Sequence, residues 1–270
     1  MMRQVGLIGF GAIGAAIVDA WPEHLGEVAT LRSVLIRDQQ IEDVSRRMVS
    51  STMVTSSIDR FLSNGLDVVI EAAGHGAVSD YAQIILKAGH ELYLLSAGAL
   101  ADDALRSRLM TAATRGNTRI VIPAGALGGF DSLLSLRAAG LQWVKYTSRK
   151  PAHAWQGTAA EDAFRLDKLT HAQVIFSGSA REAARRYPRN ANLAAAVAIA
   201  GLGFDLTEVE LIADPDAHEN AGRIQATSSV GALDLTLSGA GFAENPKSSC
   251  VTALSVIAAL RDSRDWISFG

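Results

Sequence analysis

The sequence predicts an α/β protein, with a doubly wound parallel sheet followed by a second, α+β domain whose sheet is mixed or antiparallel. In the first half, short apolar runs recur with helix-length segments between them, and small residues follow each run. This pattern is typical of buried parallel strands joined by helical crossovers. In the second half, apolar and polar residues alternate over 233–237, which is typical of a half-exposed antiparallel strand.

The composition favours a water-soluble globular protein. Of 270 residues, 49% are hydrophobic, and 25 Lys and Arg against 28 Asp and Glu give a net charge of -3. This balance argues against a nucleic-acid-binding surface and a polybasic membrane anchor. One cysteine, Cys250, excludes an internal disulfide and a cysteine-rich zinc site, and no other metal-ligand spacing is present. With neither a secretory signal pattern nor an apolar run of about 20 residues, we expect a cytoplasmic protein.

A glycine-rich turn follows the first apolar run, residues 5–8. Gly9, Gly11 and Gly14 have the G-x-G-x-x-G spacing of a dinucleotide-binding unit. The first glycine allows the tight turn, the second lets backbone N–H groups approach a pyrophosphate, and the third lets the helix pack close to the strand. The helix N-terminus adds partial positive charge. The predicted cofactor-binding residues here are Gly9, Gly11, Ala12, Ile13 and Gly14.

The second apolar run, residues 33–36, ends at Arg37 and Asp38, where such folds contact the adenine ribose. Asp38 lies about 24 residues after Gly14, close to the usual interval. An acidic residue there favours NAD, whereas an arginine can pair with the 2′-phosphate of NADP. Because both are present, either cofactor is expected, and the alternative is that the two residues only begin a solvated loop.

Three further apolar runs, residues 68–70, 92–95 and 119–122, end in small residues. After the first of them, Ala72, Ala73 and Gly74 leave room for a ribose or nicotinamide at the carboxyl end of the strand. We therefore interpret residues 1–123 as a Rossmann domain.

Residues 124–248 predict the α+β domain, and a helical segment within 249–270 is expected to pack back on the nucleotide domain. Ser179 and Glu182 form a capping-box pattern at the start of a helix. The remaining predictions are strands at 142–147, 172–176, 208–212, 223–227 and 233–237, and helices at 132–139 and 193–200.

Several segments together resemble the L-aspartate dehydrogenases, which are NAD(P)-dependent amino-acid dehydrogenases. They occur in the family's order over nearly the whole chain, and the proline–arginine–asparagine and asparagine–proline–lysine segments are more specific than the glycine loop. The resemblance implies a homodimer formed through the sheet of the second domain, and cofactor contacts at Ala126 and Asn192. The segments are residues 9–14, 123–128, 149–151, 176–183, 187–192, 213–215 and 245–249.

The chain departs from that family at one position. The family usually has Asn-x-His after its Asp-Pro, and the histidine is its proposed acid/base. Here Asn220 is present, but Gly222 occupies the histidine position. His218, four residues earlier, is the candidate catalytic replacement, and the alternative is that it is an exposed bystander.

A dicarboxylic substrate requires cationic or N–H donors for its two carboxylates. Arg149 and Lys150 have two interpretations, as substrate ligands or as a solvated turn before a proline. Two asparagines, Asn190 and Asn192, precede an apolar helix and suit either ligand or N-cap roles. The predicted substrate-binding residues are Lys150, Asn190, Lys247 and Ser248, the last considered as a helix start.

The resulting hypothesis is an NAD(P)-dependent enzyme that interconverts L-aspartate with iminoaspartate, or with oxaloacetate and ammonia. The replacement at Gly222 leaves two alternatives. One is a related dehydrogenase for another amino or imino acid, and the other is a catalytically weak dinucleotide-binding protein.

Overall fold

The computed structural model describes residues 2–242 and 245–263. The chain divides into two compact units. The first comprises Met1–Pro123 together with a segment that starts at Ala253, and the second comprises Ala124–Thr252. The first contains a parallel sheet and the second a mixed sheet, which confirms the predicted fold class.

The first unit contains a six-stranded sheet in the order β3-β2-β1-β4-β5-β6, and all its strand pairs are parallel. This is the doubly wound Rossmann order, in which the strand sequence reverses next to β1. Its strands are β1 (Arg3–Ile8), β2 (Ala29–Leu35), β3 (Met53–Thr55), β4 (Val68–Glu71), β5 (Glu91–Leu94) and β6 (Ile120–Val121). Its helices are α1 (Ala12–His24), α2 (Ile41–Ser45), α3 (Ile58–Leu62), α4 (His75–Lys87) and α5 (Asp103–Arg115).

Burial explains why the central strands were predictable from sequence. Every residue of β4 and β5 is buried, as expected for strands covered on both faces. Strand β3 was not predicted. It has three residues and lies at the sheet edge, so it is too short to show a periodic pattern.

The second unit contains a five-stranded sheet in the order β11-β10-β7-β9-β8. Strands β7 and β9 are parallel, and the other neighbours are antiparallel. Its elements are α6 (Phe130–Ala138), β7 (Leu141–Pro151), β8 (Gln173–Ser179), α7 (Ala180–Arg186), α8 (Asn192–Ala200), β9 (Glu208–Asp214), β10 (Asn220–Ser228), β11 (Ala232–Gly239), β12 (Gly241–Phe242) and β13 (Asn245–Ser249). The predicted capping box is confirmed, because Ser179 and Glu182 bond reciprocally at the start of α7.

The last helix, α9 (Val251–Asp262), lies almost wholly in the first unit. The expected segment 249–270 begins as strand, because Ser249 pairs with Gly241. Residues 264–270 lie outside the described residues. Within the described ranges, no helix is both long and apolar enough to cross a membrane.

An ion-pair cluster around one buried carboxylate joins the starts of three strands at the amino end of the first sheet. Glu91 begins β5, and its two carboxylate oxygens accept from the guanidinium groups of Arg3 and Arg119. The Glu91 side chain is 11% exposed. Burial works to raise its pKa, but the hydrogen bonds and charges of the arginines outweigh burial and leave the pKa lowered.

The substitution Glu91→Gln is expected to lower the free energy of unfolding by about 1–2 kcal/mol at pH 7, because both charge-assisted bonds are lost. Since the folded-state pKa is lowered, this stabilisation is present above the unfolded pKa and is lost as the pH falls through the folded value. Urea unfolding from pH 7 to pH 3 should therefore show the deficit shrinking with acidification. The exposed Glu27→Gln is the control, and a deficit independent of pH would contradict the ion-pair account.

Candidate functional site

The glycine loop joins β1 to α1 in a geometry that two of its glycines require. Gly9 has a φ of +92°, and a Cβ there would lie 2.8 Å from the Ala73 Cα. A Cβ on Gly14 would lie 2.3 Å from the Gly9 carbonyl oxygen. Both positions therefore exclude any side chain, and the first turn of α1 is packed against the end of β1.

Gly11 differs from its neighbours because a Cβ there would meet nothing within 4 Å. It is the exposed N-cap of α1, and no acidic residue lies in the first turn of that helix. The N–H groups of a helix start without a carboxylate nearby are suited to an anion. These features are compatible with the sequence prediction that Gly11, Ala12 and Ile13 contact the diphosphate of a dinucleotide.

Arg37 and Asp38 follow β2 and are both exposed. Arg37 precedes a single 3-10 turn that begins at Asp38. A cation suited to a 2′-phosphate and an acceptor suited to a ribose hydroxyl therefore lie at adjacent positions, which agrees with expecting either NAD or NADP.

The loop after β4 contains Ala72, Ala73 and Gly74, and Gly74, with a φ of +110°, is the N-cap of α4. The residue before the loop, Glu71, is 1% exposed. Its carboxylate accepts hydrogen bonds from Ala73, Gly74 and Ser96, so it connects the loops after β4 and β5. The sequence analysis missed this residue, although a charged side chain at the end of an apolar strand was a visible signal.

Lys150 lies on β7 and is 9% exposed, so the solvated-turn interpretation is wrong. Its ammonium lies 5.5 Å from the centroid of the Trp155 ring. The indole N–H of Trp155 donates to the Ile212 carbonyl at 3.1 Å, and the ring meets Tyr187 edge-on at 6.2 Å between centroids. A buried cation is thus held on a fixed aromatic surface.

Asn190 lies in the turn after Tyr187, and its N–H donates to the Tyr187 carbonyl at 2.9 Å. The side chain is 7% exposed, and neither of its amide atoms has a hydrogen-bond partner. The helix N-cap is Ala191, without a side-chain cap, so the capping interpretation is wrong for Asn190 and Asn192. Since a buried amide without partners is costly, the ligand interpretation of Asn190 is the stronger one.

Arg149, adjacent to Lys150, forms an ion pair with Asp214. Asp214 is 2% exposed and also accepts from the Asp216 N–H at 2.9 Å. The guanidinium is therefore engaged with the turn between β9 and β10, which assigns Arg149 a structural contact.

Gly222 is a buried residue of β10 and pairs with Ser148 of β7. A Cβ at position 222 would lie 3.1 Å from Leu127 Cδ1 and 3.4 Å from the Tyr146 hydroxyl. Burial raises the pKa of Tyr146 to about 12, although a hydrogen bond with Ser148 opposes this. His218 is exposed in the turn between β9 and β10.

The remaining predicted site residues lie in the second unit. Ala126 is half-buried in the loop before α6, and Asn192 is the first residue of α8. Ser248 lies in β13 and accepts from Asn245 at 3.2 Å, so its expected role as a helix start is wrong. Lys247 is also in β13, but its side chain lies outside the described residues.

In the described part of the chain, no group of three His, Cys, Asp or Glu side chains is placed to hold a metal.

Comparisons with known proteins identify the family of the chain. Residues 9–123 match the family model described as the NAD-binding domain of homoserine dehydrogenase. Residues 131–263 match the model described as the C-terminal part of aspartate dehydrogenase. The L-aspartate dehydrogenases of Cupriavidus necator and Pseudomonas aeruginosa are each 40% identical over 268 residues, which is 99% of this chain and 100% of theirs.

The fold, the glycine loop and these matches define an NAD(P)-dependent amino-acid dehydrogenase. Within that class, the chain belongs to the L-aspartate dehydrogenase family.

Solved structures show the same fold. The aspartate dehydrogenase of Thermotoga maritima has a TM-score of 0.76 and 24% identity, with both chains covered completely. A hyperthermophilic archaeal homoserine dehydrogenase, solved with NADPH, has a TM-score of 0.61 and 12% identity, with 98% of this chain and 99% of that chain covered.

The substitution Gly11→Ala should weaken cofactor binding without weakening the fold. The new methyl group meets nothing in the protein but occupies the space that a diphosphate needs, so we expect the Kd to rise by at least about tenfold. Titration with NADH and NADPH measures the Kd, and thermal unfolding without nucleotide measures stability. The contrasting variant Gly14→Ala should raise the Kd and also lower the stability, because its Cβ would clash with the Gly9 carbonyl oxygen. An unchanged Kd in Gly11→Ala would place the diphosphate elsewhere.

Proposed function

We propose that this protein is an NAD(P)-dependent L-aspartate dehydrogenase that interconverts L-aspartate with iminoaspartate, which hydrolyses to oxaloacetate and ammonia. The observation that carries the proposal is the 40% identity, over 99% of the chain, to proteins named for this activity. The unobstructed glycine loop supports the cofactor requirement. A homodimer and a cytoplasmic location, both expected from the sequence analysis, stay predictions.

Oxidation of an α-amino acid removes a hydride from Cα and a proton from the amine. A bound nicotinamide supplies the redox chemistry by accepting the hydride. This chain contributes the N–H groups at the start of α1 for the diphosphate, and the small residues Ala72, Ala73 and Gly74 for the ribose and ring. The rate then depends on how closely these groups orient the reactants.

Lys150 and Asn190 are the proposed ligands of the substrate carboxylates. Lys150 is a buried cation oriented by Trp155, and Asn190 has buried amide donors. The Lys150 ammonium lies over the Trp155 ring, and the Asn190 backbone N–H donates to the Tyr187 carbonyl. Because the Trp155 and Tyr187 rings meet edge-on, the two proposed ligands lie in one region of the second unit. Lys247 and Ser248 complete the proposed set by family resemblance.

Proton transfer is where this chain is expected to differ from its relatives. Gly222 has no side chain to move a proton, and His218 is exposed on the preceding turn. Tyr146 is beside position 222, but with a pKa of about 12 it keeps its proton at neutral pH and is a poor base. This supports two alternatives: a related dehydrogenase for another amino or imino acid, and a dinucleotide-binding protein with weak catalysis.

The first test is turnover. With oxaloacetate and ammonia as substrates, nicotinamide absorbance should fall with NADH or NADPH, and oxaloacetate without ammonia serves as the control. Because no buried general base occupies position 222, we expect slow turnover. Activity only with a different keto acid would support the related-dehydrogenase alternative. No turnover with any amino or keto acid would support the weak binding protein.

The second test restores the side chain. Gly222→His should raise aspartate turnover by about tenfold or more, because a general base contributes roughly 10²–10⁴-fold in such steps. Gly222→Ala is the matched control, since it makes the same Cβ contacts with Leu127 and Tyr146 but carries no base. His218→Ala should leave kcat unchanged if that residue is a bystander. Equal rates for the histidine and alanine variants at 222 would show that the missing base does not limit turnover.

A further inference from the structure

Glu71 is a buried acidic residue that the proposed reaction does not use. It is the last residue of β4, at the carboxyl end of the parallel sheet, and is 1% exposed. Its Oε1 accepts from the N–H groups of Ala73 and Gly74 at 2.8 and 2.7 Å and from the Ser96 hydroxyl at 3.0 Å. Its Oε2 accepts from the Ser96 N–H at 3.0 Å.

All four of these hydrogen bonds point toward the carboxylate. Oxygen atoms that only accept are the property of the ionised form of the side chain. Burial raises the pKa of Glu71, and the N–H and O–H donors work in the opposite direction. The donors therefore oppose the effect of burial and favour the ionised form of the carboxylate.

The position of this charge in the sheet relates it to one half of the cofactor. A Rossmann sheet consists of two mononucleotide-binding halves, and the half with β2 ends at Arg37 and Asp38, the residues suited to the adenine ribose. Glu71 ends β4 and Ser96 follows β5 in the other half, which is left for the nicotinamide. The ring of that group carries a positive charge when it is oxidised and none when it is reduced.

We propose that Glu71 is a positioning residue for the nicotinamide half of the cofactor, and that its buried negative charge favours the oxidised form over the reduced form. Its hydrogen bonds fix the loops after β4 and β5. Its charge attracts the oxidised ring, and this attraction is strong because the surroundings are poorly hydrated. The proposal concerns cofactor binding alone and does not depend on aspartate being the substrate.

The test compares nucleotide affinities without turnover. The Kd values of NAD⁺ and NADH, and in parallel of NADP⁺ and NADPH, are measured by calorimetry on the full chain. In Glu71→Gln, the ratio of the oxidised to the reduced Kd should rise by about fivefold to tenfold, because the charge is removed and the shape is kept. The wild-type protein provides the reference ratio.

Ser96→Ala is the matched control, since it removes one hydrogen bond from the same network and leaves the charge in place. It should weaken both forms equally, and so leave the ratio unchanged. A merely structural role for Glu71 would give the same result in Glu71→Gln, so an unchanged ratio in that variant would overturn the proposal.

Glu71→Asp keeps the proposal falsifiable if the glutamine variant does not fold, which thermal unfolding would reveal. It keeps the carboxylate charge on a side chain that is one methylene shorter. We therefore expect both the oxidised and the reduced nucleotide to bind more weakly, with the same ratio of Kd values as in the wild-type protein. A Kd ratio that rises in Glu71→Asp as well as in Ser96→Ala would overturn the proposal, because the ratio would then depend on the geometry of the loops and not on the charge. Failure of the wild-type protein to bind any of the four nucleotides would also overturn it, whereas failure to oxidise aspartate would not.

Discussion

The cofactor half of this protein depends on one close approach between two backbone segments. The turn after β1 lies so near the loop after β4 that a Cβ on Gly9 would overlap the backbone at Ala73. The same turn lets α1 start against it, because Gly14 has no side chain to meet the Gly9 carbonyl. The open N-cap at Gly11 follows one side of this contact, and the loop that Glu71 fixes forms the other side. A side chain at position 9 would therefore disturb groups on two different strands.

Two buried glutamates stabilise opposite ends of the first sheet by different chemistry. Glu91, at the amino end, is paired with arginines, so the positive charges around it leave its pKa lowered. Glu71, at the carboxyl end, is held by N–H and O–H dipoles, and burial still raises its pKa. Dipoles offset the loss of hydration without cancelling the net charge. Glu91 is thus compensated by two cations, whereas Glu71 has only dipoles to stabilise its ionised form.

The features that could be predicted from sequence are those encoded locally. The glycine spacing, the buried strands and the capping box at Ser179 each depend on neighbouring residues, and each appears in the structure. What could not be predicted depends on distant partners. Lys150 is buried because β7 is an interior strand of a sheet whose other strands follow it in the chain. The sequence leaves both a ligand and a capping role open for Asn190, because the exact start of a helix is set by a single turn. The acceptor role of Glu71 requires Ser96, which is 25 residues away.

The place of α9 in the chain has a consequence for how the protein is made. The first unit contains residues from before and after the second unit, and the apolar residues Val256, Ile257 and Leu260 of α9 are buried. During synthesis, the Rossmann strands leave the ribosome more than a hundred residues before this helix does. The first unit is therefore incomplete until the last helix is synthesised, and the residues that pack against that helix stay exposed to solvent in the nascent chain.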